Sequence, residues 1–187
     1  MDMNTHDYGL ELKFCANEAH PVQLTDGTVI EGYASLFGLP DQGGDVVCKG
    51  AYAKGLERLL ARGGTVKMLW QHDPAQPIGI WDDIREDARG LYVKGRLLPG
   101  VARAREAAAL IAAGAIDGLS IGYRTVAAEK DAKGRRLLAE LELWEVSLVT
   151  FPMLREARVA AKGESLARDL RDLAAALRGA TAELAGR

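Results

Sequence analysis

Two stretches with period-2 alternation, joined by a charged turn, constrain the fold of this chain more than any other feature. The first begins in the run GAIDGLSIGY at 114–123, and the second runs from Leu137 to Thr150. The charged run EKDAKGRR at 129–136 separates them. Because such alternation is typical of half-buried strands, the two stretches predict one long hairpin. Its first strand has one face with Leu119, Ile121 and Tyr123 and another with Ser120, Gly122 and Arg124.

The rest of the chain combines short strand patterns with helical ones, which predicts an α+β fold that is mainly β. The predicted elements are strands at 8–14, 29–37 and 65–71, a second hairpin at 78–97, and helices at 51–62 and 101–113. From residue 160 onward, five leucines and Ala180 predict a C-terminal amphipathic helix, because they follow a 4-3-4-3-4 spacing at positions 166, 170, 173, 177, 180 and 184. We therefore expect two parts, a domain at 1–160 and a tail at 161–187.

Charge and cysteine content exclude several classes of protein. The 187 residues carry a net charge of −2, which gives no basic footprint for nucleic acid, and no apolar run is long enough to cross a membrane. Cys15 and Cys48 form no CxxC pair, so neither a disulfide framework nor a zinc site is expected. The Gly-rich loop at 38–50 lacks phosphate-binding spacing. We expect a soluble cytoplasmic protein without cofactor or metal.

Ser120 is the candidate nucleophile. It lies at the start of a predicted strand, where Gly118 and Gly122 leave room for another chain to approach. A serine in this setting is either a strand-surface residue or a nucleophile. His72 is the candidate base, because it ends a predicted strand just before Pro74, which cannot continue a ladder. A structural histidine is the alternative interpretation.

An acyl-transfer serine also needs a third group that orients its base, and Glu145 is the candidate. A buried carboxylate needs a hydrogen-bond donor, which a histidine could supply; alternatively, Glu145 lies at a barrel rim and reaches water. Ser147 is a rival nucleophile, but its apolar context favours a core position. The absence of a G-x-S-x-G elbow argues against an α/β-hydrolase. Alternation places Glu145 on one largely apolar face with Leu141, Leu143, Ser147 and Val149.

Four runs of sequence, in the same order along the chain, resemble the prohead maturation proteases of tailed phages. They cover roughly Gly32 to Val159. The runs are GYASLFG…D..GDVV..GAY, VKMLWQHDPAQPIGIWDDIREDARGLYVKGRL, GAIDGLSIGYR and LWEVSLVTFPMLREARV. Such proteases resemble the herpesvirus assembly protease. The resemblance implies a small closed antiparallel β-barrel with surrounding helices.

The same resemblance implies site residues. It makes Ser120 the nucleophile and His72 the general base. In the herpesvirus relatives the third member is a second histidine, but the corresponding stretch of this chain holds no histidine, and Glu145 lies at the equivalent distance after the serine. We therefore expect Glu145 to orient His72, with Glu142 and Glu140 as alternatives. The paired arginines that mark the oxyanion loop of those enzymes are not evident here.

The resemblance also implies a function. Proteases of this family enter the assembling procapsid. There they cleave the scaffold, or the scaffold-like N-terminal arm of the major capsid protein, and they usually also cleave themselves. We expect a serine endopeptidase with these substrates, acting inside the procapsid in the cytoplasm of a bacterial host, for a phage or a phage-derived particle such as a gene transfer agent. The tail either packs on the domain or serves as a docking or self-processing segment. The relatives often dimerise, and the sequence leaves a homodimer open.

Two rival functions remain open at this point. One is a catalytically silent assembly or scaffolding protein with the same fold. The other is a small esterase or another hydrolase, which would cleave simple esters without preference for capsid peptides.

Overall fold

The computed structural model of the chain describes residues 11–15, 23–41 and 43–150. These residues form two helices, α1 (Ala53–Ala61) and α2 (Ala102–Ala112), and nine strands. The predicted mainly β class is confirmed. The strands are β1 (Glu11–Cys15), β2 (Gln23–Thr25), β3 (Val29–Leu36), β4 (Val46–Val47), β5 (Lys67–Trp70), β6 (Asp73–Glu86), β7 (Gly90–Leu97), β8 (Gly118–Lys130) and β9 (Arg136–Val149).

All nine strands belong to one sheet that curls into a half-barrel. The strand order is β1-β8-β9-β5-β6-β7-β3-β2, and β4 pairs with β9 beside this path. Helix α1 packs against β9, and α2 packs against β6, β7 and β2. Strand β9 is the organising element, because β8, β5 and β4 all pair with it.

The expected all-antiparallel barrel is wrong in its pairing. Residues 67–70 of β5 pair with residues 145–148 of β9 in parallel, and so do residues 46–47 of β4 with residues 137–138 of β9. A parallel pair requires a long connection, and β6, β7, α2 and β8 supply it between β5 and β9. The order of the described strands begins at β1 and ends at β2 without a pairing between them.

Both predicted hairpins are present. Strands β8 and β9 pair antiparallel from Gly118 and Val149 down to Lys130 and Arg136, and β6 pairs with β7. The β8–β9 turn is closed by Asp131, whose carboxylate accepts the main-chain N–H groups of Lys133 and Arg135. An aspartate that binds the main chain a few residues ahead is a common turn device, so the charged run forms a turn for a local reason.

A one-residue register shift in β9 corrects the predicted faces of this strand. Gly122 lies opposite Glu145, but the next residue, Tyr123, lies opposite Leu143, so that Trp144 is the extra residue of a β-bulge. The alternation therefore reverses at Trp144. The core face of β9 carries Leu141, Leu143, Val146 and Leu148, all buried, whereas Glu145 and Ser147 lie on the opposite face with Ser120 and Gly122.

Several predictions lie partly or wholly outside the described residues. The strand predicted at 8–14 overlaps β1, which begins at Glu11. The tail at 161–187, its predicted helix and the end of the 1–160 domain lie beyond residue 150. In the part of the chain that the structure describes, no helix has the length and apolarity needed to cross a membrane.

Candidate active site

His72 occupies a two-residue turn between β5 and β6. Both residues of the turn, Gln71 and His72, have left-handed backbone, with φ of 52° and 61°, and Trp70 pairs directly with Asp73. Two successive left-handed residues are typical of a type I′ hairpin turn. The prediction that the chain leaves the sheet at Pro74 is wrong, because β6 begins at Asp73. Pro74 is accommodated by a register shift. Trp70 pairs with Asp73, but the residue before it, Leu69, pairs with Pro77, so that residues 74–76 lie between two paired positions.

Gln71 ties this turn to the end of β9. Its main-chain N–H donates to the carbonyl oxygen of Leu148 at 2.9 Å. Its side-chain amide donates to Thr150 Oγ1 at 2.6 Å and accepts the Thr150 main-chain N–H at 3.3 Å. A left-handed non-glycine residue persists where its surroundings hold it, and these three bonds do so here. The turn therefore presents His72 in a fixed position relative to β9.

His72 contacts Glu145 directly. His72 Nδ1 lies 2.5 Å from Glu145 Oε1, and the two side chains are only 12% and 8% exposed. A carboxylate that is buried to this extent requires hydrogen-bond partners. The second oxygen, Oε2, accepts a hydrogen bond from Ser147 Oγ at 2.5 Å. Ser147 Oγ in turn accepts the main-chain N–H of His72 at 3.2 Å, which closes a ring of three residues.

Ser120 lies on the neighbouring strand, opposite Ser147. The two serines are register partners in the β8–β9 ladder, and both are fully buried. Residues directly opposite each other in an antiparallel pair have Cβ atoms about 4.5–5.5 Å apart and share one face of the sheet. Ser120 is therefore one strand away from the Glu145–Ser147–His72 ring and on the same face. The side chains of all three predicted site residues are brought into one region.

The alternative carboxylates lie elsewhere. Glu142 pairs with Arg124, whose Nη2 is 2.5 Å away, and Glu140 pairs with Arg58 at 2.8 Å. The hydrogen bond from Arg58 holds the pKa of the Glu140 carboxyl below its ordinary value. Neither residue has a described contact with His72, whereas Glu145 is hydrogen-bonded to it.

Gly122 makes room for Glu145. It is the register partner of Glu145, and a Cβ atom at position 122 would lie 2.9 Å from Glu145 Cγ and closer still to Oε1. Real Cβ atoms do not approach so closely, so any side chain here displaces the carboxylate oxygen that contacts His72. Gly122 was expected to leave room for another chain to approach, whereas in the structure it accommodates the carboxylate of Glu145.

We expect Gly122→Ala to weaken both the site and the fold. Displacing the Glu145 carboxylate should lower kcat/KM of a reaction that depends on Ser120, His72 and Glu145 by about 100-fold. The overpacking should lower the free energy of unfolding by about 1–3 kcal/mol. Gly100→Ala is the matched control, because a Cβ at Gly100 meets nothing within 4 Å and its backbone is not left-handed. Steady-state kinetics and thermal melting check both effects. Wild-type kinetics for Gly122→Ala would contradict the role assigned to Gly122.

Sequence reasoning missed two contributors. Ser147 was interpreted as core; it is buried, but both of its hydrogen bonds serve the site. Its spacing of two residues from Glu145 on a strand places both on one face, and that was the available signal. Gln71 carried no such signal, because Gln-His is not a sequence that marks a type I′ turn. Within the described ranges, no group of three or more His, Cys, Asp or Glu residues is arranged to hold a metal ion.

A histidine that is hydrogen-bonded to a buried carboxylate lies near a serine on the next strand. These are the three residue types that serine hydrolases combine in their active sites. This chain belongs to the caudovirus prohead serine protease family, whose model matches residues 15–171. It is similar to the prohead protease of Enterobacteria phage HK97, with 34% identity over 136 residues. That match covers 71% of this chain and 59% of the relative, so the chain spans somewhat over half the length of the curated relative.

A solved structure shares the fold. The bacteriophage T4 capsid assembly protease superposes with a TM-score of 0.62, over 77% of this chain and 99% of the T4 chain. The sequence identity is 18%, so this likeness concerns the fold alone. The curled, mainly β sheet with its two described helices is thus the fold of a capsid assembly protease.

Proposed function

We propose that this protein is a serine endopeptidase that matures procapsids. One observation carries the proposal: in a chain of the prohead protease family, His72 Nδ1 binds the buried Glu145, and Ser120 lies on the adjacent strand of the same face. Ser120 is the proposed nucleophile, His72 the base and Glu145 the group that orients the base. The preference for Glu145 over Glu142 and Glu140 is supported by this contact.

The proposed mechanism starts from the hydrogen bond between His72 and Glu145 and assigns the proton transfer from Ser120 to His72 by analogy with serine hydrolases. Glu145 Oε1 accepts a hydrogen bond from the N–H of His72 Nδ1, which leaves Nε2 unprotonated and basic. Nε2 takes the proton of Ser120 as Oγ attacks the scissile carbonyl carbon, and Glu145 stabilises the imidazolium that forms. The imidazolium then gives its proton to the leaving amine, and an acyl-enzyme remains on Ser120. Water, activated by the same histidine, releases the acyl group and restores the free serine.

The proposed substrates are capsid proteins. The relatives are named a prohead protease and a capsid assembly protease, and we carry this task over to the present chain. The substrates would be the scaffold and the N-terminal scaffold-like arm of the major capsid protein, and also the protease itself. The place of action would be the interior of the assembling procapsid, in the host cytoplasm. The finer proposals are kinship with the herpesvirus assembly protease, a homodimer, and a docking or self-processing role for the tail at 161–187.

Co-expression with the major capsid protein tests the function. Wild type and Ser120→Ala are each produced with this partner, and the capsid protein is analysed by intact mass. We expect a shortened capsid protein with wild type only, and the mass difference then identifies the cleavage site. Full-length capsid protein in both samples, despite assembled shells, would favour a catalytically silent assembly protein. A shortened product in both samples would show that Ser120 is not the nucleophile.

A further inference from the structure

The geometry points to Ser147 as a positioning residue that holds Glu145 and His72 in their working arrangement. The inference rests on the proposed function and adds a fourth residue to its site. Ser147 is fully buried on β9, two residues after Glu145 on the same face. Its hydroxyl bonds both the carboxylate of Glu145 and the main chain of His72.

The two hydrogen bonds of Ser147 act on different parts of the site. Donation to Glu145 Oε2 fixes the rotation of the carboxylate, so that Oε1 faces His72 Nδ1. The hydrogen bond that Ser147 Oγ accepts from the His72 N–H fixes the backbone at His72. The φ of 61° there is uncommon for residues other than glycine. Without the hydroxyl, the buried Oε2 of Glu145 and the partly buried N–H of His72 would each lose a partner.

The same bonds argue against Ser147 as the nucleophile. Its single proton is directed at a carboxylate rather than at an imidazole nitrogen, and its oxygen already accepts a main-chain N–H. An attacking serine needs the opposite arrangement, in which a base nitrogen receives the hydroxyl proton. Ser147 therefore acts through Glu145 and His72.

Ser147→Ala is expected to lower kcat without changing the affinity for substrate. The substrate is a peptide spanning the cleavage site found by intact mass. Because small misplacements of catalytic groups are costly, we expect kcat to fall about 10- to 100-fold while KM stays within about twofold. Ser35→Ala is the matched control: Ser35 is a buried strand serine on β3, and its hydroxyl has no hydrogen-bond partner in the described chain. Its kcat should equal that of wild type.

A double substitution separates positioning from general stability. If Ser147 acts through Glu145, adding Ser147→Ala to Glu145→Ala should change kcat by less than about twofold. Independent losses that multiply would overturn the inference, and so would a wild-type kcat for Ser147→Ala. Complete inactivation of a folded Ser147→Ala would also overturn it, in favour of Ser147 as nucleophile. Should Ser147→Ala fail to fold, Ser147→Cys, with a weaker donor in a similar volume, is measured in its place.

A spectroscopic readout tests the inference even if the proposed function fails. The Nδ1–H proton of His72, bonded to Glu145, should give a far-downfield proton resonance in nuclear magnetic resonance spectra. We expect this resonance to move or to broaden in Ser147→Ala and to stay in place in Ser35→Ala. An unchanged resonance in Ser147→Ala would contradict the positioning role. Full peptidase activity of Ser120→Ala would contradict the proposed function and leave this spectroscopic test intact.

Discussion

Replacing Ser120 with alanine is expected to reduce the rate of peptide cleavage by about 10⁴-fold or more, and His72→Ala should reduce it by a similar factor. The reason is that each change removes one partner of the same proton transfer. Ser120→Ala deletes the attacking oxygen, and His72→Ala deletes the base. For the same reason the double variant should be hardly slower than either single variant, because residues that act as a unit do not contribute additively.

The measurement is kcat/KM on the cleavage-site peptide for the three variants and wild type, with thermal melting to confirm that each variant folds. Ser35→Ala again serves as the control for loss of a buried hydroxyl. A double variant that is slower by the product of the two single factors would show that Ser120 and His72 act independently. The serine–histidine mechanism would then be wrong.

Glu145→Gln is expected to lower kcat by about 10²- to 10⁴-fold and to leave KM nearly unchanged. The amide keeps the shape of the carboxylate, but it carries no charge to stabilise the imidazolium. It can also turn its NH₂ group toward His72 Nδ1 and favour the wrong tautomer. Loss of the buried negative charge weakens the site at the step where positive charge develops on His72.

Glu142→Gln is the matched control for this experiment. Glu142 lies three residues away on β9, is partly exposed and pairs with Arg124, so its loss should change kcat by less than about twofold. If Glu145→Gln were fully active while Glu142→Gln was impaired, the orienting role would move to Glu142. Steady-state kinetics of both variants on the same peptide decide between the two carboxylates.

The sequence predicted well those parts of the fold that local patterns control. The β8–β9 and β6–β7 hairpins follow from alternation on each side of a turn. The two helices lie within one or two residues of their predicted bounds. The parallel β5–β9 pairing could not be predicted in this way, because it joins residues 67–70 to residues 145–148 and no local pattern records which distant strand will pair.

The sequence named the three candidate residues that the structure brings into one region, but it did not predict their geometry. Ser120, His72 and Glu145 were singled out by residue type, position and resemblance. The bulge at Trp144 was missed although the sequence marks it: the apolar positions change from 141 and 143 to 146 and 148, which is the point where the backbone shifts register. Consequently Glu145 was placed on the face of Leu141 and Leu143, whereas it lies on the opposite one. Ser147 was missed as a contributor although its spacing of two residues from Glu145 places both on one face of the strand.

The pairing of β5 with β9 has a consequence for the order of events during synthesis. His72 and Glu145 are 73 positions apart, and contacts between distant parts of a chain form slowly because a long loop must close first. A nascent chain that has emerged as far as residue 135 holds Ser120 and His72 but neither Glu145 nor Ser147. The candidate site of Ser120, His72, Glu145 and Ser147 is therefore assembled only once β9 has docked into the sheet, so the proposed peptidase activity should be absent until synthesis has passed this strand.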